Sequence, residues 1–222
     1  MASPSGTHGS IELRGAVHID KMQPQFAATC AANSDGYFPV AGESSFWLEV
    51  QPGIVINRLM DAALKACDVT PGALITERHY GTLEVHGPDQ GQVLEAGRTM
   101  LAEAGVAADE GLAPEILTDE IIRKISAHHA MMINRTRSGM LVLGDDTLYT
   151  LEVSPAVHVV LAANEAEKTS PVRLIGLGAD GAVGRLRLAG SDAEIEEAVA
   201  AVHRALTGVP GRRQAAGGPG GR

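Results

Sequence analysis

The chain has 222 residues, of which 45% are apolar and 3% aromatic, and carries a formal net charge of −9. That length suits one large domain or two of about 100 residues. The acidic balance argues against nucleic-acid binding through phosphates, and no apolar run approaches the ~20 residues that cross a bilayer, so a membrane partner is not expected.

Residues 1–10, MASPSGTHGS, lack the basic segment and apolar run of a secretory leader and read as a disordered terminus. A strand is predicted over 11–20, an Ala-rich helix over about 23–32 and a turn at Asn33–Gly36. Strands follow at about 37–40 and 45–51, the second bearing Phe46, Trp47, Leu48 and Val50. Pro52-Gly53 breaks that strand and opens a helix to about Ala66, with Val55, Leu59, Ala62 and Ala66 at helical spacing on one face. Strands at about 72–78 and 80–86 meet in a tight connection near Tyr80-Gly81. Asp89 then caps a helix to about Ala104, whose inner stripe is Val93, Gly97, Met100, Leu101 and Ala104.

Past a linker at 105–113 the order recurs. Leu48–Gly97 lies without a gap on Leu151–Ala200 at an offset of 103 residues, pairing LEV with LEV, Pro52 with Pro155 and Lys65 with Lys168. The same offset pairs Val69 with Val172, Gly81 with Gly184 and Asp89 with Asp192, and runs back to Glu12 with Glu115. Over 11–97 against 114–200, 17 of 87 positions are identical, where chance gives roughly six at ordinary residue frequencies. One supersecondary unit has been used twice. The last helix opens Ser191-Asp192-Ala193-Glu194, a capping-box spacing, with Ile195, Val199, Val202 and Leu206 inward. The fold class is α/β, as repeats over 11–107 and 108–207, each a sheet with helices packed on it. The Gly/Pro-rich tail 208–222 reads as disordered.

Residues 176–181 spell a literal GxGxxG, but dinucleotide binding needs a helix to begin there. The next residues, AVGRLRLAG, alternate like a strand. His128 and His129 are adjacent, so on a helix they diverge rather than converge on a metal. Cys30 and Cys67 lack metal spacing and read as buried thiols in a reducing cytoplasm. Asn134-Arg135-Thr136 matches a glycosylation sequon by chance. With no nucleophile–base pair and no spaced carboxylates, no catalytic residues, metal or cofactor are expected.

The stretch DAALKACDV, a glycine-bearing hairpin, then Gly-x-Asp and an Ala-rich helix (61–97), with its copy over 164–198, resembles the bacterial microcompartment shell domain. The LEV strand follows about 35 residues of strand–helix–strand, so each unit resembles the circularly permuted, tandem-domain shell proteins. The resemblance implies ferredoxin-like sheet-and-helix units and a homotrimer that mimics a hexamer around a pore. It further implies tiling in a cytoplasmic shell beside hexameric and pentameric shell proteins, with small metabolites crossing the pore and, in some relatives, trimers stacked in pairs. By position, Lys65 and Lys168 fall at the tile edge.

The pore loops fall at Thr76–Gly81, which includes Glu77, Arg78 and His79, and at Gly178, Ala179, Asp180, Gly181 and Ala182. Glu77-Arg78 resembles the gate of the permuted proteins. Three guanidinium groups about 6 Å apart repel by ~3 kcal/mol per pair at an effective dielectric of about 20. Closure therefore needs the carboxylates interleaved between them. The competing expectations are a trimeric effector-binding sensor and, more remotely, an enzyme with a half-site in each repeat.

Overall fold

A computed structural model describes residues 10–213. In the first repeat the strands β1 (Glu12–Ile19), β2 (Ser44–Gln51), β3 (Thr70–Glu77) and β4 (Tyr80–Gly87) form an antiparallel sheet in the order β1-β2-β4-β3. The second builds the same sheet from β5 (Glu115–Ile122), β6 (Thr147–Ser154), β7 (Arg173–Gly178) and β8 (Gly184–Gly190). The registers coincide at the 103-residue offset: Leu48 faces Leu83 and Leu151 faces Leu186, and both first strands carry an irregularity at the same place.

Alternation along β2 gives the sheet two different faces. Phe46, Leu48 and Val50, with Leu83 and Val85 of β4, pack on α2 (Ile56–Ala66) and α3 (Gln90–Ala104). Helix α2 buries Ile56, Leu59, Met60 and Ala63, a stripe rotated from the expected one, and leaves Ala66 exposed. A 3₁₀ turn at Gly53–Val55 precedes the helix and resets its phase. In α3, Gly97 presses against the Phe46 ring, where a Cβ would lie 2.5 Å from Cε2. That contact explains a helix-interior glycine.

The other face carries Ser45, Trp47, Glu49, Thr82, Glu84 and His86, all buried. What covers it is the second repeat. Helix α1 (Pro24–Asn33) leaves its own sheet and lies on β7 and α5 (Val159–Thr169). It has no side-chain cap of its own. Instead Gln25 N and Phe26 N each donate to the Glu167 carboxylate at 2.8 Å, and Gln23 N donates to Asn164 Oδ1 at 2.9 Å. The Gln25 side chain grips β7 with both ends, donating to Val172 O and accepting from Leu174 N, each at 2.9 Å. Val17, Ile19, Met22, Phe26 and Trp47 thereby join the core of the second repeat.

Helices α4 (Ala127–Asn134) and α6 (Asp192–Thr207) complete the order. The Ser191 capping box forms: Glu194 Oε2 accepts from Ser191 N at 2.7 Å, and Ser191 Oγ accepts from Glu194 N. The cap of α3 is Asp89, whose structural counterpart is Ser191 rather than Asp192. The connection before α6 is one residue shorter, so the offset falls to 102 and Val93 matches Ile195.

Three further expectations are corrected. Residues 37–40 form no strand; the chain there only touches β3, through Gly36 N to Gly72 O and Tyr37 N to Pro71 O. Tyr37, Phe38 and Val40 are exposed, as are Met140, Leu141 and Leu143 at the matching places. Cys67 is half-buried, while Cys30 is buried. Of the tail, 208–213 is ordered: Arg212 pairs with Leu112, and its backbone bonds Gly111 O and Ala113 N at 2.8 Å. The rest of the tail, and residues 1–9, lie outside the described residues.

Glu167→Ala is expected to lower unfolding stability by about 1–2 kcal/mol, since two partly buried amides lose a charged acceptor. Chemical denaturation checks this, and an unchanged midpoint would remove the cap from the account of the inter-repeat contact.

Candidate pore-loop and tile-edge sites

The first hairpin turns through Arg78-His79, with Glu77 and Tyr80 paired across it. Arg78 has φ 54°, a conformation that costs a non-glycine residue about 1–2 kcal/mol. The residue 103 positions on is Gly181, with φ 80°. A backbone shape that the second loop meets with glycine is thus imposed on an exposed arginine in the first, a form of strain that gathers at functional sites. Arg78 Nε lies 3.5 Å from Glu77 Oε1.

The two loops of one chain meet. A Cβ on Gly181 would lie 3.2 Å from Glu77 Cγ, so glycine there serves both the φ angle and the approach of Glu77. Gly178 and Ala179 are half-buried and Asp180 is exposed. The literal GxGxxG is the end of β7 and this loop, followed by strand β8, and no helix starts there. Behind the loops a cleft of about 250 Å³ separates the repeats, lined among others by Asn33, Trp47, Ile75, Leu177 and Asp180. Asn33 spans it, donating from Nδ2 to Leu177 O at 3.1 Å.

The base of the first loop rests on buried charge. The Arg14 guanidinium stacks on the Tyr80 ring, 4.0 Å from its centroid, and Arg14 Nε donates to Glu49 Oε1 at 2.5 Å. Glu49 Oε2 accepts from Val157 N at 2.8 Å, at the 3₁₀ turn Ala156–His158 of the second repeat. Burial raises the Glu49 pKa, and the Arg14 charge only partly offsets it. His158 donates from Nε2 to Leu112 O at 3.0 Å. Its pKa is pushed down to about 4 by burial, against that carbonyl's pull and aided by Arg14, so the ring is neutral. The sequence reading passed over Arg14, Glu49 and His158, although the repeated LEV was a signal for the carboxylate.

Lys65 and Lys168 both project from exposed helix surface. Lys65 Nζ bonds Asp61 Oδ2 at 2.5 Å, and Lys168 Nζ lies 3.3 Å from Glu165 Oε1, each within its own helix. His128 and His129 are exposed on α4. Asn134 is half-buried and holds residue 142 through Nδ2 to Val142 O at 2.8 Å.

Comparison with known proteins matches this two-sheet arrangement over most of the chain. A family model, the CsoS1D N-terminal domain, matches residues 13–110. The carboxysome shell protein CcmP of Synechococcus elongatus is 44% identical over 202 residues, covering 91% of this chain and 95% of that protein. The chain belongs to the tandem, permuted microcompartment shell proteins. The shell protein CsoS1D of Hydrogenovibrio crunogenus is 43% identical, covering 88% of this chain and 96% of its own length. Among solved structures, the fused permuted hexameric shell protein MSM0275 of the RMM microcompartment superposes with TM-score 0.86 at 39% identity, covering 88% of this chain and 96% of its own. The double-ringed trimeric shell protein MSM0271 gives TM-score 0.88 at 35% identity, covering 92% and 100%. The resemblance read from 61–97 and its copy therefore extends over nearly the whole shell protein. Among the described residues no helix is long and apolar enough to cross a membrane.

The His158 pKa carries a pH signature. Above the unfolded value near 6.5, histidine is neutral in both states; between 6.5 and 4 only the unfolded chain binds the proton. Stability from this group is therefore full at pH 7 and falls by about 2 kcal/mol on going to pH 5. His158→Val, the residue at the matching place of the first repeat, should lose about that much less over the same interval in paired denaturation curves. Equal losses would contradict a neutral His158.

Proposed function

We propose that the protein is a structural tile of a microcompartment shell, not an enzyme, built as a homotrimer with a gated pore on its threefold axis. The observation that carries this reading is the meeting of the two hairpin loops. Glu77 lies on Gly181, so three chains would bring three such pairs to one axis, with Arg78 free to reach inward. Support also comes from relatives described as trimeric, double-ringed and shell-forming.

Closure would set the Arg78 guanidinium groups between Glu77 carboxylates of neighbouring chains. Each cation then has an anion at charge-assisted hydrogen-bonding distance, and the repulsion among like charges is offset. Opening needs only that Arg78 swing back to its own Glu77 or to water. Such exposed pairs are worth under about 1 kcal/mol, so neither state is locked. A metabolite that binds one arrangement better shifts the balance.

At the edge, Lys65 and Lys168 would pack against neighbouring tiles. The exposed apolar segment at 37–40 and its copy at 140–143 offer repeated apolar patches through which two trimers would stack.

Two measurements bear on this reading. Lys65→Ala should weaken sheet assembly, seen by electron microscopy, while light scattering still gives a trimer of about 69 kDa, three times the 23.1 kDa chain. Assembly equal to the wild type would take Lys65 off the edge. Arg78→Ala should leave the axis unable to close by side-chain pairing, and a crystal structure of that variant with a blocked axis would sink the gate.

A further inference from the structure

A buried acid–base pair lies against β3 where the second repeat has none. Glu84 and His86, both on β4, pair at 3.1 Å and are each 2% exposed. At the positions 103 further on stand Arg187, which is partly exposed, and the buried Ala189. Gly72, pressed against the Glu84 carboxylate, corresponds to the fully buried Ile175. Ser45 and Cys30 correspond to Leu148 and Ile133, and these four apolar residues of the second repeat share one cluster. The fold thus closes this place with hydrocarbon alone. Replacing a buried ion pair by such packing is often neutral or stabilising, so stability does not account for the charges.

The pair instead holds a bulge. In the second hairpin Gly176 stands opposite Arg187 in the ladder. In the first, the ladder skips from Pro71 to Leu74, and the Ala73 N–H donates to the Glu84 carboxylate. On the outer side of β3, Gly36 N and Tyr37 N donate to Gly72 O and Pro71 O, both at 2.9 Å. The bulge therefore links the exposed segment 37–40 to the strand that ends in the Glu77–Arg78 turn.

We propose that the Glu84–His86 pair is a pH-sensitive clamp on β3, which holds the Gly72–Ala73 bulge while the two share a proton and releases it when that proton is lost. The clamp stands without the gated-pore reading; only its effect on passage through a pore rests on that reading.

With one proton between them the pair is neutral, whichever member carries it. Loss of that proton leaves a buried carboxylate with no cation. The surrounding groups give no relief. Glu43, ahead of β2, adds negative charge, and Cys30 of α1 stays a thiol because burial and Glu84 raise its pKa. Opposite the pair, β2 brings Trp47 and Ser45 and β3 brings Thr70, none of them charged. The segment outside β3 brings only the exposed Asp35, and the second repeat brings Asp180 to the cleft that Cys30 and Ala73 line.

Burial lowers the His86 pKa, but the bond and charge of Glu84 outweigh it and hold it above the ordinary 6.5. Burial holds Glu84 above its ordinary 4.5, against the pull of His86. Both shifts have the same sign: stability is full below the unfolded values and is lost as pH rises through the folded ones.

Hydrogen exchange of the full chain, read by mass spectrometry and corrected for the intrinsic rate at each pH, tests this. Between pH 6 and pH 9 the amides of Thr70–Glu77 should lose about tenfold in protection, while those of Arg173–Gly178 keep theirs. Glu84→Gln retains an acceptor for Ala73 and has no proton to lose, so it should lose no protection over that range. In the unsubstituted chain the His86 imidazole, followed by NMR, should titrate above 6.5. Equal pH responses in the two strands, or an imidazole titrating at or below 6.5, would overturn the clamp. The expected profile in a chain that light scattering shows to be monomeric would uphold the clamp and overturn the trimer alone.

Discussion

The fold depends on how the first turn of α1 finds acceptors. Pro24 opens that helix, no side chain of its own caps it, and its leading amides point at Glu167 of the other repeat. Helix N-termini carry partial positive charge and unsatisfied donors, so the carboxylate fixes both the place and the direction of α1. Once α1 is held there, Phe26, Met22 and Trp47 have an apolar surface to enter, and the repeats share one core. A linker alone would leave two independent units; this cap makes them one body.

Burying both faces of the first sheet puts ionisable groups inside. Glu84 and His86 pair at 3.1 Å, and Gly72 must lack a side chain because a Cβ would fall 1.9 Å from Glu84 Oε2. Burial raises the Glu84 pKa against the pull of His86; for His86, burial is outweighed by the bond and charge of Glu84, which raise its pKa. Removing one member of such a pair leaves an uncompensated buried charge. The Arg14–Glu49 pair sits on the same face and continues through the Tyr80 ring to the first hairpin loop. The loop with the exposed Arg78 therefore grows from a base held by buried charge.

The sequence made much of the architecture legible because strand pairing is local in the pattern. Alternation in β2 and β6, the repeated LEV and the capping box at Ser191 each follow from side-chain period and hydrogen-bonding chemistry within a few residues. The hairpin loops and the two exposed lysines were legible in position for the same reason. The rest depended on small offsets or distant partners. The 3₁₀ turn rotated the buried stripe of α2, and a one-residue shortening moved the counterpart of Asp89 from Asp192 to Ser191. Tyr37, Phe38 and Val40 read as a strand from their side chains, but the chain meets the edge strand β3 through Gly36 N to Gly72 O and Tyr37 N to Pro71 O and then turns away without extending the ladder.

By itself the sequence determined that one unit occurs twice, that it is a sheet with helices packed against it, and that the hairpin of each copy ends in a loop of different chemistry. Those properties reside in periodicity, turn residues and repetition, all written along the chain. Only the tertiary structure decided that α1 crosses to the other repeat, that Glu77 lies on Gly181, and that Glu49 is sealed against Val157. The physical reason is separation. Glu167 lies more than a hundred residues from the amides it caps, and hydrogen-bond complementarity at that distance has no signature in local spacing.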